Sequence, residues 1–336
     1  MKKKTLFAFA VLAVMFVGLM PAFGAPPAKM TIRFVDQWKP EQFIISKFLL
    51  YADEISKRSN GRLEIVRAGG PEIIPAPDQL TACGRGAIDM VIGWPVYYAG
   101  VVPEGQILGL PVTRWNWDNI YHLGNAISDD LDKVYQKKSN IKLMMQLAGT
   151  GIFNFTRNKP VTSVADMKGL RLRTSGGLDA IILQALGAAP TRVASAEIYT
   201  AAERGIIDGA SRPLQPVLDW KENEVWRYVT TTPTSFQVTG CVWLGLNTWN
   251  KIPADLQKYL VDSFKKLEIE SVKHYKNVEE SAMRELMKRG VKPVDLKPDE
   301  EAKWLSLPSK PAEEYFLKQS PEYGQMLINV IRAAVK

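Results

Sequence analysis

Twice along this 336-residue chain a β-like run, an apolar run of helical spacing, a glycine and a second apolar run opening on Ile-Asp follow one another. Residues 30–34 alternate in strand fashion, and 43–56 carry apolar side chains at helical spacing before Asn60-Gly61. Residues 63–66 read as a strand, 75–85 as a helix capped by Gly86, and 88–92 as a buried strand. The order restarts with a strand at 171–173, a helix at 178–186, a strand at 191–193 and a helix at 196–203 closed by Gly205. Such alternation predicts an α/β fold: largely parallel sheet, helices on its faces, and a ligand site at the carboxyl ends of the strands. Its restart predicts a second lobe. Thr81-Ala82, Arg85-Gly86 and Ile88-Asp89 are matched at constant offset by Thr200-Ala201, Arg204-Gly205 and Ile207-Asp208. In each, a helix ends on a glycine free to turn left-handed and an apolar residue plus Asp opens a strand. Junctions of this kind recur in α/β proteins and do not by themselves imply duplication.

After a polar turn at 247–253, residues 254–289 run without Pro or Gly and stop at Gly290. One helix of about 50 Å is predicted, longer than a single lobe and so shared by both. Residues 291–336 read as a strand and two helices broken by Pro298, Pro308 and Pro311. The expected organisation is a leader at 1–24, a first lobe at 25–150 to which 236–252 returns, and a second lobe at 151–235 to which 291–325 contributes. The helix at 253–290 spans both, and 326–336 forms a C-terminal tail.

At the N-terminus Lys2, Lys3 and Lys4 precede an apolar run at 6–20 and then Pro21-Ala22-Phe23-Gly24-Ala25. The run is shorter than the roughly 20 residues a bilayer span needs, and small residues at Ala22 and Gly24 fit cleavage after Gly24. A secretory leader and a soluble, periplasmic mature chain are expected, the alternative being an uncleaved anchor. No Cys follows the run, which argues against lipid attachment. The formal net charge of +8 counts the three leader lysines, and the remaining basic residues are interspersed with acids. That balance suits a small anionic ligand better than nucleic acid. Cys83, in a predicted helix, and Cys241, in an apolar strand, are expected to be buried thiols rather than a disulfide.

Signatures of catalysis are missing. His122 and His274 are the only histidines, neither lies in a metal-ligand motif, and each sits in a polar helix where a solvated side chain is the ordinary reading. Nucleophile elbow and phosphate-loop lysine are absent, and Gly149-Thr150-Gly151 lacks the rest of a dinucleotide fingerprint, with Asn154 where its last glycine belongs. That stretch reads as a lobe crossover. More informative is Leu172-Arg173-Thr174-Ser175-Gly176-Gly177, which leads into the helix near Leu178. A strand end, a glycine turn and a helix N-terminus aim backbone N–H groups at one spot, and Arg173 adds a planar fork suited to a carboxylate. A surface arginine paired with a nearby acid is the competing reading.

The run from Asp166 to Arg173, then Leu186-Gly187-Ala188, Glu197-Ile198-Tyr199 and Gly205-Ile206-Ile207-Asp208-Gly209, resembles the solute-binding subunit of tripartite ATP-independent periplasmic (TRAP) transporters, the DctP-like family. In the first lobe Ser59-Asn60-Gly61-Arg62-Leu63, Arg85-Gly86-Ala87-Ile88-Asp89-Met90, Pro103 and Leu110-Pro111 agree. The resemblance covers essentially the whole mature chain. It implies a two-lobed periplasmic binding protein fold, type II-like, with the ligand cleft between lobes joined by hinge strands and the long helix. It implies a carboxylate-bearing ligand, no catalysis, no cofactor, and small and large membrane permease subunits as partners of a monomeric receptor. The family's carboxylate-binding arginine falls on Arg173, and the other pocket positions on Gln37, Trp94, Phe153, Ser195 and Arg212, with Trp38 adjoining.

Several of these positions depart from the sialic-acid-binding branch, which has a second arginine at Phe153, an asparagine at Arg212 and a glutamate at Trp94. Sugar acids of that type are therefore not expected. The keto-acid branch holds a metal with a glutamate near Ser211, so no sodium or calcium site is expected either. Arg173 and Arg212 would clamp an anion while Phe153, Trp94 and Trp38 offer flat apolar surface, favouring aromatic monocarboxylates. The competing reading of the rings, Trp38 in particular, is lobe core; and if the arginines grip opposite ends of one ligand, a four-carbon dicarboxylate fits. Handing the ligand state to a sensor rather than a permease is the other alternative.

Overall fold

The computed structural model describes residues 29–38, 40, 42–111 and 117–334, and the leader with its expected cleavage after Gly24 lies outside the described residues. Ten strands are present among them: β1 (Met30–Val35), β2 (Leu63–Gly69), β3 (Met90–Gly93), β4 (Ile141–Thr156), β5 (Arg171–Thr174), β6 (Ala189–Arg192), β7 (Gly209–Arg212), β8 (Tyr228–Thr230), β9 (Ser235–Gly245) and β10 (Lys292–Val294). Parallel β2, β1 and β3 with antiparallel β9 make the first sheet. Parallel β6, β5 and β7 make the second, with β4 antiparallel to β7 and to β8, which β10 joins in parallel. β1 buries Ile32 and Phe34 and exposes Thr31 and Arg33, the alternation of a strand with one face on a core.

The seam between the sheets is β4. Its residues 141–152 pair antiparallel with β9, and residues 153–156 pair with β7. Gly149 sits where the strands come closest: a Cβ there would lie 2.4 Å from the backbone oxygen of Gln237, so only glycine fits. The Gly149-Thr150-Gly151 stretch is thus part of a continuous strand that passes from one sheet to the other.

A single helix, Ala254–Lys288, runs 35 residues, about 52 Å at 1.5 Å per residue. Leu256, Leu260, Phe264 and Leu267 join Ile32, Phe34 and Phe48 in the core of the first sheet. Ala282 and Leu286 join Phe155, Ala210 and Trp226 in the core of the second. The rings of Phe48 and Phe264 stack at 5.6 Å. Gly290, at φ 94°, ends the helix, its N–H and that of Val291 returning to the carbonyls of Met287 and Leu286.

Two regions differ from expectation. A helix at Ile120–Ser139, with Leu123, Ile127, Leu131 and Val134 buried, has no counterpart in the sequence reading, because aspartates and lysines crowd its other faces. Beyond β10 stand three helices rather than two: Pro298–Ser306, Ser309–Gln319 and Gly324–Ala334. Pro298 and Pro308 start helices instead of breaking them, since a first-turn N–H has no acceptor to lose. The expected tail at 326–336 is largely the last of these helices. Its Leu327, Ile328 and Ile331 are fully buried in a core shared with Leu123, with Trp243 of β9 and with Leu172 of β5, so the C-terminal helices tie both sheets together. Cys83 and Cys241 are buried and unpaired, and burial pushes both thiols up, Cys83 to about 12. No helix among the described residues is long and apolar enough to cross a membrane.

Candidate ligand-binding cleft

The carboxyl ends of β5 and β7 lie side by side, Arg173 being in register with Ala210. Both strand-end arginines therefore face one cleft of about 1260 Å³, whose opposite wall comes from the loops after β1 and β3. Arg173 is 6 % exposed; its Nε donates to the carbonyl of Val193 at 3.0 Å and its Nη2 to Ser195 Oγ at 3.3 Å. Arg212, 5 % exposed, donates from Nη1 to the same Ser195 Oγ at 3.1 Å and from Nη2 to Glu222 Oε1 at 2.6 Å, while its Nε has no partner. Ser195 opens a short 3-10 turn and bridges the two guanidinium groups. Desolvation, and then the neighbouring charge of Arg212, bring the Arg173 guanidinium down to about 10, which still leaves it cationic at neutral pH.

The turn after β5 places both Gly176 and Gly177 at positive φ, 98° and 59°, before the helix Leu178–Ala185. Gly176 N–H is engaged by Thr174 Oγ1 at 3.0 Å, so this amide is not turned to the cleft. Buried Asp179 accepts from Thr174 Oγ1 at 2.5 Å and Ser211 Oγ at 2.8 Å, and burial pushes its carboxyl up against those bonds and the pull of Arg173. Ser211 is thereby held inward.

Across the cleft Trp38 and Trp94 meet edge to face at 4.7 Å, and Trp94 lies 5.8 Å from the ring of Tyr97. Trp38 packs partly on the first core and also lines the cleft. Gln37 also lines the cleft, but its amide is engaged within the protein. Nε2 donates to Tyr98 Oη at 2.6 Å and Gln79 Oε1 at 3.3 Å, and Oε1 accepts the Trp94 N–H at 2.9 Å. Its evident work is to hold Trp94 in place.

Phe153 is set apart from the other expected pocket residues. It is 4 % exposed, belongs to the second core with Phe155 and Ile198, and is absent from the cleft lining. Its strand has just entered the second sheet there, and a ring that size is accommodated by the core.

Sequence reasoning missed the contribution of the long helix, from which His274, Tyr275 and Glu279 line the cleft. The expectation of a solvated His274 gives way to a half-buried ring whose basicity burial lowers, aided by Lys47. Glu279 accepts from Gly151 N–H at 2.7 Å and Trp117 Nε1 at 2.9 Å, and burial raises its carboxyl. The available signal was the spacing of Tyr275 and Glu279, one turn apart on a helix expected to cross between lobes. Glu222, fully buried, had none: it is one of two glutamates in Lys221-Glu222-Asn223-Glu224.

A profile of the bacterial extracellular solute-binding protein family 7, DctP, matches residues 34–319. A solute-binding protein of Albidiferax ferrireducens is 26% identical over 270 residues, 78% of each chain. The C4-dicarboxylate-binding periplasmic protein of Rhodobacter capsulatus is 24% identical over 206 residues, 60% of each chain. Among solved structures, a TRAP periplasmic solute-binding protein from Desulfovibrio salexigens with bound orotic acid superposes with a TM-score of 0.81 at 22% identity, covering 91% of this chain and 99% of its own. Two sheets joined by a shared strand and a shared helix, two strand-end arginines at the cleft and a profile match across most of the length agree: the chain belongs to the DctP family of TRAP solute-binding proteins.

Proposed function

We propose that the chain captures a small organic monocarboxylate in the cleft, with Arg173 taking the carboxylate and the Trp38–Trp94 wall taking a flat, ring-bearing body. After export and removal of its leader it acts as a monomer and delivers the acid to the small and large permease subunits of an ion-gradient-driven TRAP transporter. The observation that carries the reading is the ion balance of the arginine pair. Arg212 already has a carboxylate partner in Glu222, whereas Arg173 bonds only to a carbonyl and a hydroxyl. Among the described residues the Arg173 guanidinium has no carboxylate hydrogen-bond partner, and a ligand carboxylate supplies one with two parallel bonds. Opposite it, indole surface offers stacking area but few partners for hydroxyl groups, each of which costs about 1 to 3 kcal/mol if buried unpaired. The orotic acid of the Desulfovibrio relative is a flat ring carboxylate and fits the same description.

A four-carbon dicarboxylate is the second reading, favoured by the second arginine and by the relative named for that ligand. A thermal-shift panel at one ligand concentration ranks the classes, because ligand that binds only the folded state stabilises it as ln(1 + [L]/Kd). Arylacetates, arylpyruvates and benzoates should give larger shifts than four-carbon diacids, and hexuronates or sialic acid the smallest. A largest shift with sugar acids defeats the reading. Mass spectrometry of acid retained by protein purified from its native host then names the compound.

A further inference from the structure

We propose that Glu222 is the residue that sets the ligand's charge: by pairing with Arg212 inside the protein it leaves Arg173 as the one guanidinium of the two without a carboxylate partner, so that one ligand carboxylate is accepted and a second refused. The inference rests on the carboxylate role given to Arg173 and deepens it.

Glu222 is fully buried, in a turn that opens from Lys221 in the left-handed conformation at φ 56°. Its Oε1 takes Arg212 Nη2 at 2.6 Å and its Oε2 faces Trp226 Nε1 at 3.4 Å. Both partners of this ion pair are almost wholly out of water, a placement in which desolvation commonly cancels the attraction. The pair is therefore poorly explained as a stabilising device, and its effect on the neighbouring cleft is large. The charged groups at this end are Arg173 on β5, Asp179 on the helix Leu178–Ala185, Arg212 on β7 and Glu222 after it. Asp179 directs both oxygens to hydroxyl groups, and Arg173 forms no ion pair among the described residues. Arg173 and Arg212 share the hydroxyl of Ser195, so a ligand carboxylate near Ser195 meets two cations, one of them already balanced. A second ligand carboxylate would enter this buried end with nothing left to balance it. Glutamine at 222 keeps an acceptor for Arg212 and removes the charge, leaving both guanidinium groups without a carboxylate partner.

The test uses two matched pairs, butyrate with succinate and phenylacetate with 4-carboxyphenylacetate, titrated calorimetrically into the full mature protein at pH 7.5. Wild-type protein should prefer each monoacid at least tenfold. Glu222→Gln should move both ratios at least tenfold toward the diacid, and the double variant Arg212→Gln/Glu222→Gln should move them back. Unchanged ratios in a Glu222→Gln protein with wild-type circular dichroism overturn the proposal. Should that variant not fold, wild-type protein answers alone. Diacid binding accompanied by uptake of about one proton, read from heats in buffers of different ionisation enthalpy, supports it, and diacid binding as tight as monoacid binding without uptake overturns it. Arg173→Ala separates the two levels: retained monoacid affinity there removes the carboxylate reading itself, whereas lost affinity with unmoved Glu222→Gln ratios removes only the role of Glu222.

Discussion

The two walls of the cleft are built on opposite plans. On the second-sheet side, buried Arg173, Arg212 and Glu222 are tied together by hydrogen bonds, the two arginines through Ser195, with buried Asp179 held beside them by Thr174 and Ser211. On the first-sheet side, Trp38 and Trp94 are half-buried and Tyr97 is 41 % exposed, in edge-to-face and tilted contacts, with Gln37 holding one ring by its backbone. Charge recognition needs donors already in place, because reorganising them on binding would consume the energy they provide. Stacking tolerates slack, since area rather than angle supplies most of it. The difference teaches that, in the proposed function, the charge of the ligand is read in one half of the molecule and the shape of its body in the other.

The comparison breaks most readily at Arg173. Replacement by Lys or Ala should weaken carboxylate binding by about 2 to 5 kcal/mol, since a point charge does not reproduce a two-pronged contact. Calorimetry showing full affinity in either variant would move recognition off the charged wall.

Next in size is a stability effect that lies outside both walls. Burial pushes the carboxyl of Glu268, on the long helix, up to about 7, against a bond from the Gln146 backbone and the charge of Lys265. A folded value above the unfolded one means that stability is fully present below about pH 4.5 and is lost as pH rises through 7. The loss amounts to about 3 kcal/mol. Glu268→Gln should therefore raise the melting temperature at pH 8 and leave it unchanged at pH 5, while ligand affinity at pH 8 stays within a factor of two. Equal shifts at both pH values would show that the carboxyl ionises freely in the fold.

Smaller effects sharpen the aromatic side. Trp38→Ala and Trp94→Ala should each lower affinity for arylacetates by about 0.5 to 1.5 kcal/mol and leave butyrate binding nearly unchanged. Equal losses for both ligands would mean that the indoles shape the cleft rather than contact its occupant. Smallest on binding is Phe153→Leu, expected to reduce stability by about 1 kcal/mol, seen in urea unfolding, with affinity held within a factor of two. A tenfold loss of affinity would return Phe153 to the cleft.

What the sequence disclosed follows the range of the interactions involved. Strand-helix alternation, the helix stopped by Gly290 and an arginine at a strand end before two glycines depend on neighbours a few residues away, so they were legible. The paired sheets at 141–156 and the C-terminal helices depend on partners far along the chain: Leu327 and Ile328 are apolar for the sake of Leu123 and Trp243. Phe153 was placed by analogy of position, and its ring lies in the second core, a location set by the passage of β4 into the second sheet. Glu222 was invisible because only the folding back of residues 214–224 after β7 distinguishes it from Glu224, whose carboxylate instead meets the hydroxyl of Tyr199 near the surface.

The passage of β4 from one sheet into the other has a mechanical consequence. A strand held by β9 up to Ile152 and by β7 from Phe153 has no unpaired residue at the crossing about which the halves can pivot. Drawing the walls together has to be absorbed as added twist along several peptide units, with the 35-residue helix flexing in parallel. Such a joint would act as a leaf spring rather than a bearing, resisting in proportion to displacement and reopening once the load is taken away.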